Sequence, residues 1–545
     1  MRDELSKQLE ELVSRRRFLA ASGVAAASMS LAAMPNSAHA MSGKPRTTGS
    51  NNQAPFESLR DYLAAMEDHG LLVRFDKIDQ DAYEGTAIMY YLADTFGAYG
   101  APVVLFENVK QDGRWIKGPI IANNQSHYHQ EALMWGLEID PIVPENSYRA
   151  GLKYMMSMLE ANGGDYPQIP PVQVAREQAP CKEITLTGDE IDITNFAFIQ
   201  GNPGDAGRYI NTASCFTYDP EWQQNFGTYR CQIISARKII LNSEPNQTAN
   251  RMILRAIKRG ETMMPVAFVL GQDPVTWMVS GSRVPLTFKK PIDELAYVGG
   301  MRGKALEVVK CDDSSLIVPA HSELVIEGVI DLINTEPEGP YHETYGYLGD
   351  RNEARFAVRI NKITHRKNPI LMNSFTSIGG GFVKAPMDAY NVSSWQKKYP
   401  QITGIFYHDD TKGVYFVSIK KDKPGLGKEI ANAISKRSFI AKVVVVVDDD
   451  LDIMNQAEMW LALGSRWQPA AASDITESAK ASFFEPSAVD GRTSKIAIDA
   501  TIQWPEEGGP KDFPALNRNL FEAKAPDAVK KAVIKWADKI QRKPF

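Results

Sequence analysis

The spacing of hydrophobic positions changes along the chain, and each change marks a part with its own predicted architecture. Near the start, four apolar residues recur at helical spacing: Leu59, Tyr62, Leu63 and Met66. The apolar run PVVLFENV at residues 102–109 is typical of a buried strand. Helical and strand patterns alternate to about residue 165, where the proline-rich DYPQIPPVQ begins. This pattern predicts an N-terminal α/β domain over residues 41–165.

The middle of the chain has a different pattern. From Cys181 to about Ile378 there are short runs rich in β-branched residues with turns between them. One helical pattern, from about Ala249 to Lys258, interrupts them. We therefore predict a central domain over residues 166–385, built as a mainly antiparallel sheet or split β-barrel.

The C-terminal part returns to alternation. A strand pattern at residues 414–419, a helical pattern near Gly427–Ser435 and a second strand pattern at residues 441–450 predict a partly parallel sheet. Residues 386–545 are thus predicted to form an α/β domain with a terminal helix. One face of that helix is apolar and must pack on its own domain or on a neighbouring subunit: Val529, Val533, Trp536 and Ile540. The predicted fold class is a multidomain protein that mixes α+β and α/β parts.

Composition excludes several function classes. The chain has 545 residues, a formal net charge of -5 and a pI near 6.0, which argue against nucleic acid as a partner. Four cysteines are scattered without zinc-like spacing, and we interpret them as core thiols, although an exported protein could oxidise a pair: Cys181, Cys215, Cys231 and Cys311.

The first forty residues have the pattern of an export signal. An arginine cluster at residues 15–17 precedes a short Ala-rich apolar segment, and AHA at residues 38–40 has the small-x-small form that a signal peptidase accepts. The segment resembles a twin-arginine signal, which predicts the translocase of that route as a partner and the periplasm as the location. The alternative is a basic amphipathic helix or an uncleaved anchor.

An acidic segment, TEPEGPYHETYGYLGD at residues 335–350, is the first candidate for chemistry. Its glycines and prolines predict a loop, and two of its carboxylates, Glu338 and Glu343, could share one site. Carboxylates that are brought together or desolvated acquire raised pKa values suited to proton transfer. The alternative is that both are simply solvated.

Four separated segments together resemble the UbiD family of reversible decarboxylases, which use prenylated FMN. They are NFGTYR at 225–230, which we expect at the start of a strand, KKPIDELAYVGGM at 289–301, the acidic segment, and VDGRTSKIAIDA at 489–500. The resemblance implies a flavin-binding central domain. It also implies reversible, non-oxidative decarboxylation of an aromatic or α,β-unsaturated carboxylic acid. The alternatives are a periplasmic flavin- or ligand-binding protein that has lost catalysis, and an FMN oxidoreductase.

The resemblance implies roles for individual residues. The family's catalytic Glu-Arg-Glu network falls on Glu338, Arg230 and Glu343, with Glu343 as the acid that protonates the substrate carbon. His342 stands where the family has a small residue, and it tunes Glu343, meets a polar group of the substrate, or is a solvated loop histidine. Tyrosines of the segment either stack beside the flavin or bury their rings in the core: Tyr341, Tyr345 and Tyr347.

Cofactor and metal ligands are also implied. The residues matched to flavin binding are Asn225, Gly227, Thr228, Tyr229, Arg230 and Lys495, with Lys495 near the phosphate. A divalent metal, manganese or magnesium, would be held by Asn225, Gln247 and Glu294, with a potassium ion nearby. Gln247 replaces the family's usual histidine, and such an all-oxygen set weakens the preference for manganese.

Partners follow from the same resemblance. It implies a small carboxylic acid as substrate, a flavin prenyltransferase as the supplier of the cofactor, and a homodimer or higher homo-oligomer assembled through the C-terminal domain.

Overall fold

The computed structural model describes residues 53–281, 293–482 and 484–536. The predicted signal peptide, residues 1–40, lies outside the described residues. The described helices are α1 (Leu59–Asp68), α2 (Glu84–Phe96), α3 (Gln130–Leu133), α4 (Glu145–Ala161), α5 (Thr248–Lys258), α6 (Pro274–Gly281), α7 (Glu294–Arg302), α8 (Ala385–Gln396), α9 (Leu426–Arg437), α10 (Gln456–Ser465), α11 (Asn517–Lys524) and α12 (Ala528–Lys535). None of these helices is long and apolar enough to cross a bilayer.

The N-terminal part is built on one mixed sheet. Its strands are β1 (Leu72–Phe75), β2 (Ile78–Asp79), β3 (Val103–Gln111), β4 (Arg114–Ala122) and β19 (Leu371–Met372). Helix α1 begins after Ser58, whose hydroxyl accepts from the Asp61 amide in a capping box. Strand β19 pairs with β4 in parallel, so the sheet takes an edge strand from residues far beyond the predicted boundary at 165.

The central part is a nine-stranded sheet that curls into a half-barrel. It contains β6 (Ile184–Thr187), β7 (Tyr209–Ile210), β8 (Ser214–Asp219), β9 (Gln223–Thr228), β10 (Cys231–Ser235), β11 (Lys238–Leu241), β12 (Met263–Leu270), β15 (Leu324–Glu338) and β18 (Asn352–His365). Its pairings are antiparallel, as the short β-branched runs predict, and three register shifts between β15 and β18 accompany the curl.

Two smaller sheets accompany the half-barrel. Strands β5 (Val172–Gln173), β13 (Glu307–Lys310) and β14 (Ile317–Pro319) form one, and β16 (Tyr341–His342) with β17 (Leu348–Gly349) forms a hairpin. The acidic segment is therefore not a plain loop, contrary to the prediction. Strand β15 continues through Glu338, and the hairpin occupies residues 341–349.

The C-terminal part confirms the predicted mixed sheet. Strands β20 (Ile402–Phe406), β21 (Val414–Ile419), β22 (Val443–Asp448), β24 (Arg492–Asp499) and β23 (Ser473–Lys480) lie in that order. The three central strands are parallel, and the two edge strands are antiparallel to their neighbours. Helix α9 packs Leu426, Ile430 and Ile434 against this sheet.

The terminal helix leaves its apolar face uncovered by the described chain. Val529 and Trp536 are each about half exposed, and Ile540 lies outside the described residues. The two predicted packing partners are the chain's own domain and a neighbouring subunit. The described part of the chain's own domain leaves Val529 and Trp536 about half exposed. The four cysteines are buried and free, as predicted for core thiols.

Candidate active site

Arg230 stands in the short connection between β9 and β10. The NFGTYR segment lies at the end of β9 and in this connection, not at the start of a strand as predicted. The Arg230 guanidinium donates from Nε to Glu338 Oε1 at 2.9 Å and from Nη2 to Glu338 Oε2 at 3.1 Å. Its Nη1 donates to Glu343 Oε1. The structure thus brings together the three residues predicted to be catalytic.

The two carboxylates have different surroundings. Glu338 is fully buried at the end of β15, and its bidentate bond matches the planar fork of an arginine. Glu343 is the first residue after β16, and its amide donates to the Tyr347 carbonyl across the hairpin tip at 2.8 Å. Glu338 therefore fixes the guanidinium, while the position of Glu343 depends on the hairpin.

Burial raises the pKa of Glu343 above its ordinary value. The charge and hydrogen bond of Arg230 oppose this rise, and the negative charges of Glu338 and Glu244 support it. Arg230 itself is desolvated by burial, but its carboxylate partners outweigh that effect and its pKa is raised. The arrangement joins a permanent cation to a carboxyl group that holds its proton more tightly than usual.

Two rings of the hairpin are buried beside this network. The Arg230 guanidinium lies 4.7 Å from the centroid of the Tyr341 ring, and the Tyr341 and His342 rings lie 4.3 Å apart. His342 is buried, and its Nδ1 lies 2.8 Å from each carboxylate oxygen of Asp205. The interpretation of His342 as a solvated loop residue is therefore wrong. Of the tyrosines, Tyr341 is buried and Tyr347 is exposed.

Two of the three predicted metal ligands are in contact. Glu294 begins α7, where its carboxylate accepts from the Phe226 amide at 2.8 Å and from the Asn225 side chain. Burial raises the pKa of Glu294 to about 8, against these two hydrogen bonds. Asn225 Oδ1 is buried and has no hydrogen-bond partner within 53–281, 293–482 and 484–536. A buried, unpaired oxygen beside a carboxylate fits a hard divalent cation.

Gln247 stands apart from this pair. It precedes α5 as the N-cap residue, and its Oε1 accepts from the Glu244 amide at 2.7 Å. In the described part of the chain no hydrogen bond joins it to Asn225 or Glu294. Its side-chain oxygen is thus already engaged within its own turn.

Of the residues between Asn225 and Arg230, Thr228 lines a cavity. The Thr228 hydroxyl lies 2.8 Å from Ser280 Oγ, and Thr228 borders the cavity. The buried Tyr229 accepts at its hydroxyl from the Ala249 amide at 3.4 Å. A Cβ on Gly227 would lie 2.6 Å from that hydroxyl, so the position requires glycine.

The cavity has a volume of about 510 Å³ and lies between the central and C-terminal parts. Its size is typical of a site for a small organic ligand. Thr344 and Tyr345 line it directly after Glu343. Several other aromatic side chains line it as well: Tyr99, Trp277, Phe382, Tyr407, Tyr415 and Phe439.

The cavity's lysines are not the predicted one. Lys384 and Lys412 line it, and Lys384 pairs with Asp409 at 2.9 Å. Lys495 lies on β24, and its ammonium donates to the backbone carbonyls of Ser435 and Ser438 at the end of α9. Lys495 is not among the residues that line the cavity, and its donors are used inside the C-terminal part, so its role near the phosphate stays a prediction.

Sequence comparison assigns the two larger parts of the chain. The model of the UbiD family described as the 3-octaprenyl-4-hydroxybenzoate carboxy-lyase Rift-related domain matches residues 172–379. The model described as the C-terminal domain of the same carboxy-lyase matches residues 382–500. Together they cover more than half of the chain.

The chain belongs to the UbiD family.

Solved structures agree with this assignment. Vanillic acid decarboxylase from Sedimentibacter hydroxybenzoicus, in an open form, is 25% identical, with a TM-score of 0.74 over 88% of this chain and 99% of that one. The UbiD-class enzyme HmfF from Pelotomaculum thermopropionicum, in complex with FMN, is 24% identical, with a TM-score of 0.72 over 89% and 100%. The 3,4-dihydroxybenzoic acid decarboxylase from Enterobacter cloacae is 18% identical, with a TM-score of 0.70 over 87% and 99%.

As a UbiD-family protein the chain is a carboxy-lyase, which argues against the two alternatives, a binding protein that has lost catalysis and an FMN oxidoreductase. The sequence did not predict several residues of the site: Asp205, Asn211, Lys384 and Lys412. Asp205 lies in the run NPGDAGRYINT at residues 202–212, and nothing in that run predicts contact with residue 342. The glycine run before Lys384 was the one available signal, because it permits a close backbone approach.

Proposed function

We propose that this UbiD-family enzyme catalyses the reversible, non-oxidative decarboxylation of an aromatic or α,β-unsaturated carboxylic acid, with prenylated FMN as its cofactor and Glu343 as the proton donor. One observation carries the proposal: Arg230 lies between Glu338 and Glu343, and burial raises the pKa of Glu343. A permanent cation next to a protonated carboxyl suits a substrate that arrives as an anion and leaves with a proton in place of its carboxylate.

The chain's own groups account for the charge changes of this reaction. The bond between the substrate carbon and its carboxylate breaks, its electron pair stays on the carbon, and carbon dioxide leaves. The carboxyl of Glu343 then donates its proton to that carbon. Arg230 stays protonated throughout, so it stabilises the substrate carboxylate before the step and the Glu343 carboxylate after it. In the reverse direction, Glu343 takes the proton back.

The aromatic lining of the cavity supports the substrate class. Planar rings such as Trp277, Tyr407 and Phe439 offer faces and edges against which a flat, apolar acid packs. The cavity lies beside the Arg230 network, because Thr228 and Thr344 line it and are two residues from Arg230 and one residue from Glu343.

Prenylated FMN would supply the electrophilic carbon that accepts electron density from the substrate. The name of one solved relative supports this cofactor, since an evolved dimeric HmfF is described in complex with prenylated FMN. Thr228 and the cavity lysines, Lys384 and Lys412, are the residues that would meet its ribityl chain and phosphate. Asn225 and Glu294 would hold a divalent metal beside the phosphate, because one offers an unpaired buried oxygen and the other a charge.

The test is to produce the protein together with a flavin prenyltransferase and to record its absorption spectrum and the mass of its bound flavin. The purified protein is then incubated with a panel of aromatic and acrylic acids, and the carbon dioxide released is measured. Release that requires the prenylated flavin supports the proposal. A protein that binds the prenylated flavin but releases no carbon dioxide from any acid of the panel, and incorporates none in bicarbonate, would reject it.

Export to the periplasm and assembly into a homo-oligomer are part of the proposal. The arginine cluster at 15–17 and the AHA sequence motivate export, and half-exposed Val529 and Trp536 motivate assembly. Replacing Arg15 and Arg16 by Lys should leave the precursor in the cytoplasm. Unchanged accumulation in the periplasm would reject the twin-arginine route. Light scattering of the purified protein tests assembly, and a monomer at micromolar concentration would reject it.

A further inference from the structure

The hairpin that carries Glu343 has little to hold it in place by itself. Its strands β16 and β17 contain two residues each, and an isolated two-stranded ribbon is marginally stable in water. Only Tyr341 and His342 are buried in it, whereas Thr344, Gly346 and Tyr347 are exposed. The position of Glu343 therefore depends on what Tyr341 and His342 contact, together with its own bond to Arg230 and the partly buried Tyr345, whose hydroxyl donates to the Ile440 carbonyl at 3.3 Å.

Tyr341 fixes the side of the hairpin that faces Arg230. Its hydroxyl accepts from Asn211 Nδ2 at 3.0 Å and lies 3.1 Å from Thr376 Oγ1. The guanidinium lies over its ring. This contact alone leaves the hairpin free to pivot about the tyrosine ring.

Asp205 fixes the next residue. The buried Asp205 carboxylate accepts from the His342 amide at 2.8 Å and lies 2.8 Å from His342 Nδ1 through both oxygens. Since a carboxylate accepts, Nδ1 carries the proton. In the described part of the chain, the only other donor to this carboxylate is the Asn202 amide at 3.0 Å. A buried carboxylate needs its donors, so loss of the imidazole would leave Asp205 with backbone bonds alone.

The segment before β7 packs closely against the hairpin. A Cβ on Gly201 would lie 3.0 Å from His342 Cε1, and a Cβ on Gly204 would lie 2.9 Å from Leu348 Cδ1. The Ala206 amide donates to the Pro340 carbonyl at 2.9 Å. Residues 201–206 therefore pack closely against both strands of the hairpin. The Asp205–His342 pair is the contact between them that involves a carboxylate.

We infer that Asp205, acting through His342, is a positioning residue that holds the hairpin so that the Glu343 carboxyl stays beside Arg230. This inference rests on the proposed function for the role of Glu343. In the described part of the chain, neither Asp205 nor His342 lines the cavity. Their effect is on the fraction of time in which Glu343 is in place, so they act on turnover more than on substrate binding.

The test compares two replacements of His342 that differ in where they carry an amide nitrogen. The side-chain nitrogen of Asn is bonded to Cγ, as Nδ1 of His is, and it keeps the bond to Asp205. The side-chain nitrogen of Gln lies one atom further out. In His342→Gln, hydrogen exchange of amides 341–349 should accelerate at least tenfold, kcat should fall at least tenfold, and KM should change less than threefold. His342→Asn should recover most of both. His321→Gln, which removes a half-exposed imidazole paired with Glu307 at 2.8 Å, is the matched control and should change neither.

Hydrogen exchange is measured on the flavin-loaded enzyme without substrate. The exchange rate therefore reports the stability of the hairpin independently of catalysis. Wild-type exchange in His342→Gln would overturn the inference, and so would a loss of turnover without faster exchange. If exchange accelerates as expected while the wild-type enzyme decarboxylates nothing, the anchoring stands and the proposed function fails.

Discussion

Glu343 contacts Arg230 through one guanidinium nitrogen, Nη1. The other side of the same guanidinium is fixed by the two bonds to Glu338. This asymmetry separates two tasks, because one carboxylate fixes the cation and the other can change its protonation state without releasing it. The bidentate pair of Arg230 with Glu338 holds the network in place. The single bond of Arg230 to Glu343 involves the carboxyl that can transfer a proton.

Glu343→Gln should therefore retain fold and flavin but lose turnover. An amide preserves the shape and the contact to Arg230, yet it has no proton of suitable acidity to donate, and general acid catalysis contributes about 100-fold or more. We expect kcat to fall at least that much, with flavin content within twofold of wild type. Glu353→Gln, the same substitution at an exposed carboxyl on β18, is the control. Decarboxylation by the Gln variant within tenfold of wild type would rule out Glu343 as the proton donor.

The pH dependence of turnover should report the raised pKa of Glu343. Since the acid form is the active one, kcat should be constant at low pH and fall as pH rises through a pKa above the ordinary glutamate value. Glu244→Gln removes one negative charge that raises this pKa and leaves its partner Arg355, at 2.9 Å, uncompensated. Both changes favour the Glu343 carboxylate. The fall in kcat should thus move to lower pH, and a move to higher pH would contradict this electrostatic account.

The catalytic network was accessible to sequence reasoning because its residues lie in short, distinctive segments. Glu338 and Glu343 are five residues apart, and Arg230 ends a six-residue motif. Asp205 and His342 were not accessible as a pair. Their contact depends on how the hairpin folds back over residues 201–206, and 137 positions separate them. The order of the strands was predictable only in part, since β19 joins the N-terminal sheet from residue 371.

Lys495 shows what a sequence resemblance leaves undetermined. The segment around it matches the family, but the direction of its side chain on β24 depends on the strand register, which no local pattern fixes. The ammonium faces the end of α9, where carbonyl groups lack helical partners. Those carbonyls satisfy it within the C-terminal part.

Lys412→Met should therefore reduce flavin binding, and Lys495→Met should not. Lys412 lines the cavity, and its ammonium lies 3.6 Å from Asp409, farther than that of Lys384 at 2.9 Å, so a phosphate in the cavity would compete with the weaker of the two ion pairs. We expect the flavin-to-protein ratio, measured by absorbance after denaturation, to fall at least fivefold for Lys412→Met. Thermal denaturation of both variants separates loss of binding from loss of folding. Equal flavin loss in a folded Lys495→Met would restore Lys495 as the phosphate partner.

Glu294→Gln should release divalent metal, whereas Gln247→Ala should retain most of it. The first change removes the one carboxylate beside the unpaired Asn225 oxygen. The second removes a side chain whose oxygen already accepts from the Glu244 amide. Elemental analysis of the dialysed enzyme measures the ratio of manganese and magnesium to protein, and we expect at least a tenfold contrast between the variants. Comparable metal loss in both would return Gln247 to the ligand set.

Glu131 gives the stability of this fold a dependence on pH. It is buried on α3, and its carboxylate accepts from the Lys384 amide at 2.6 Å and the Ala385 amide at 3.0 Å, at the start of α8. Burial raises its pKa to about 8 despite these two bonds. A raised pKa in the folded state means that folding favours the protonated carboxyl.

The stabilising contribution of Glu131 is therefore complete below its unfolded pKa near 4.5 and is lost as pH rises toward about 8. Inside that window the free energy of unfolding should fall by at most about 1.4 kcal/mol per pH unit from this group. Glu131→Gln, which resembles the protonated carboxyl, should flatten the dependence measured by urea denaturation between pH 5 and 8. Glu107→Gln, at an exposed carboxyl on β3, should leave it unchanged. Asp388 and Glu294, whose pKa values are raised by burial to about 6 and about 8, retain their own parts of the slope, so Glu131→Gln is compared with wild type above the pH at which Asp388 titrates. The decisive interval is thus pH 6.5 to 8, and an unaltered slope there in Glu131→Gln would show that Glu131 is ionised in the fold at neutral pH without cost.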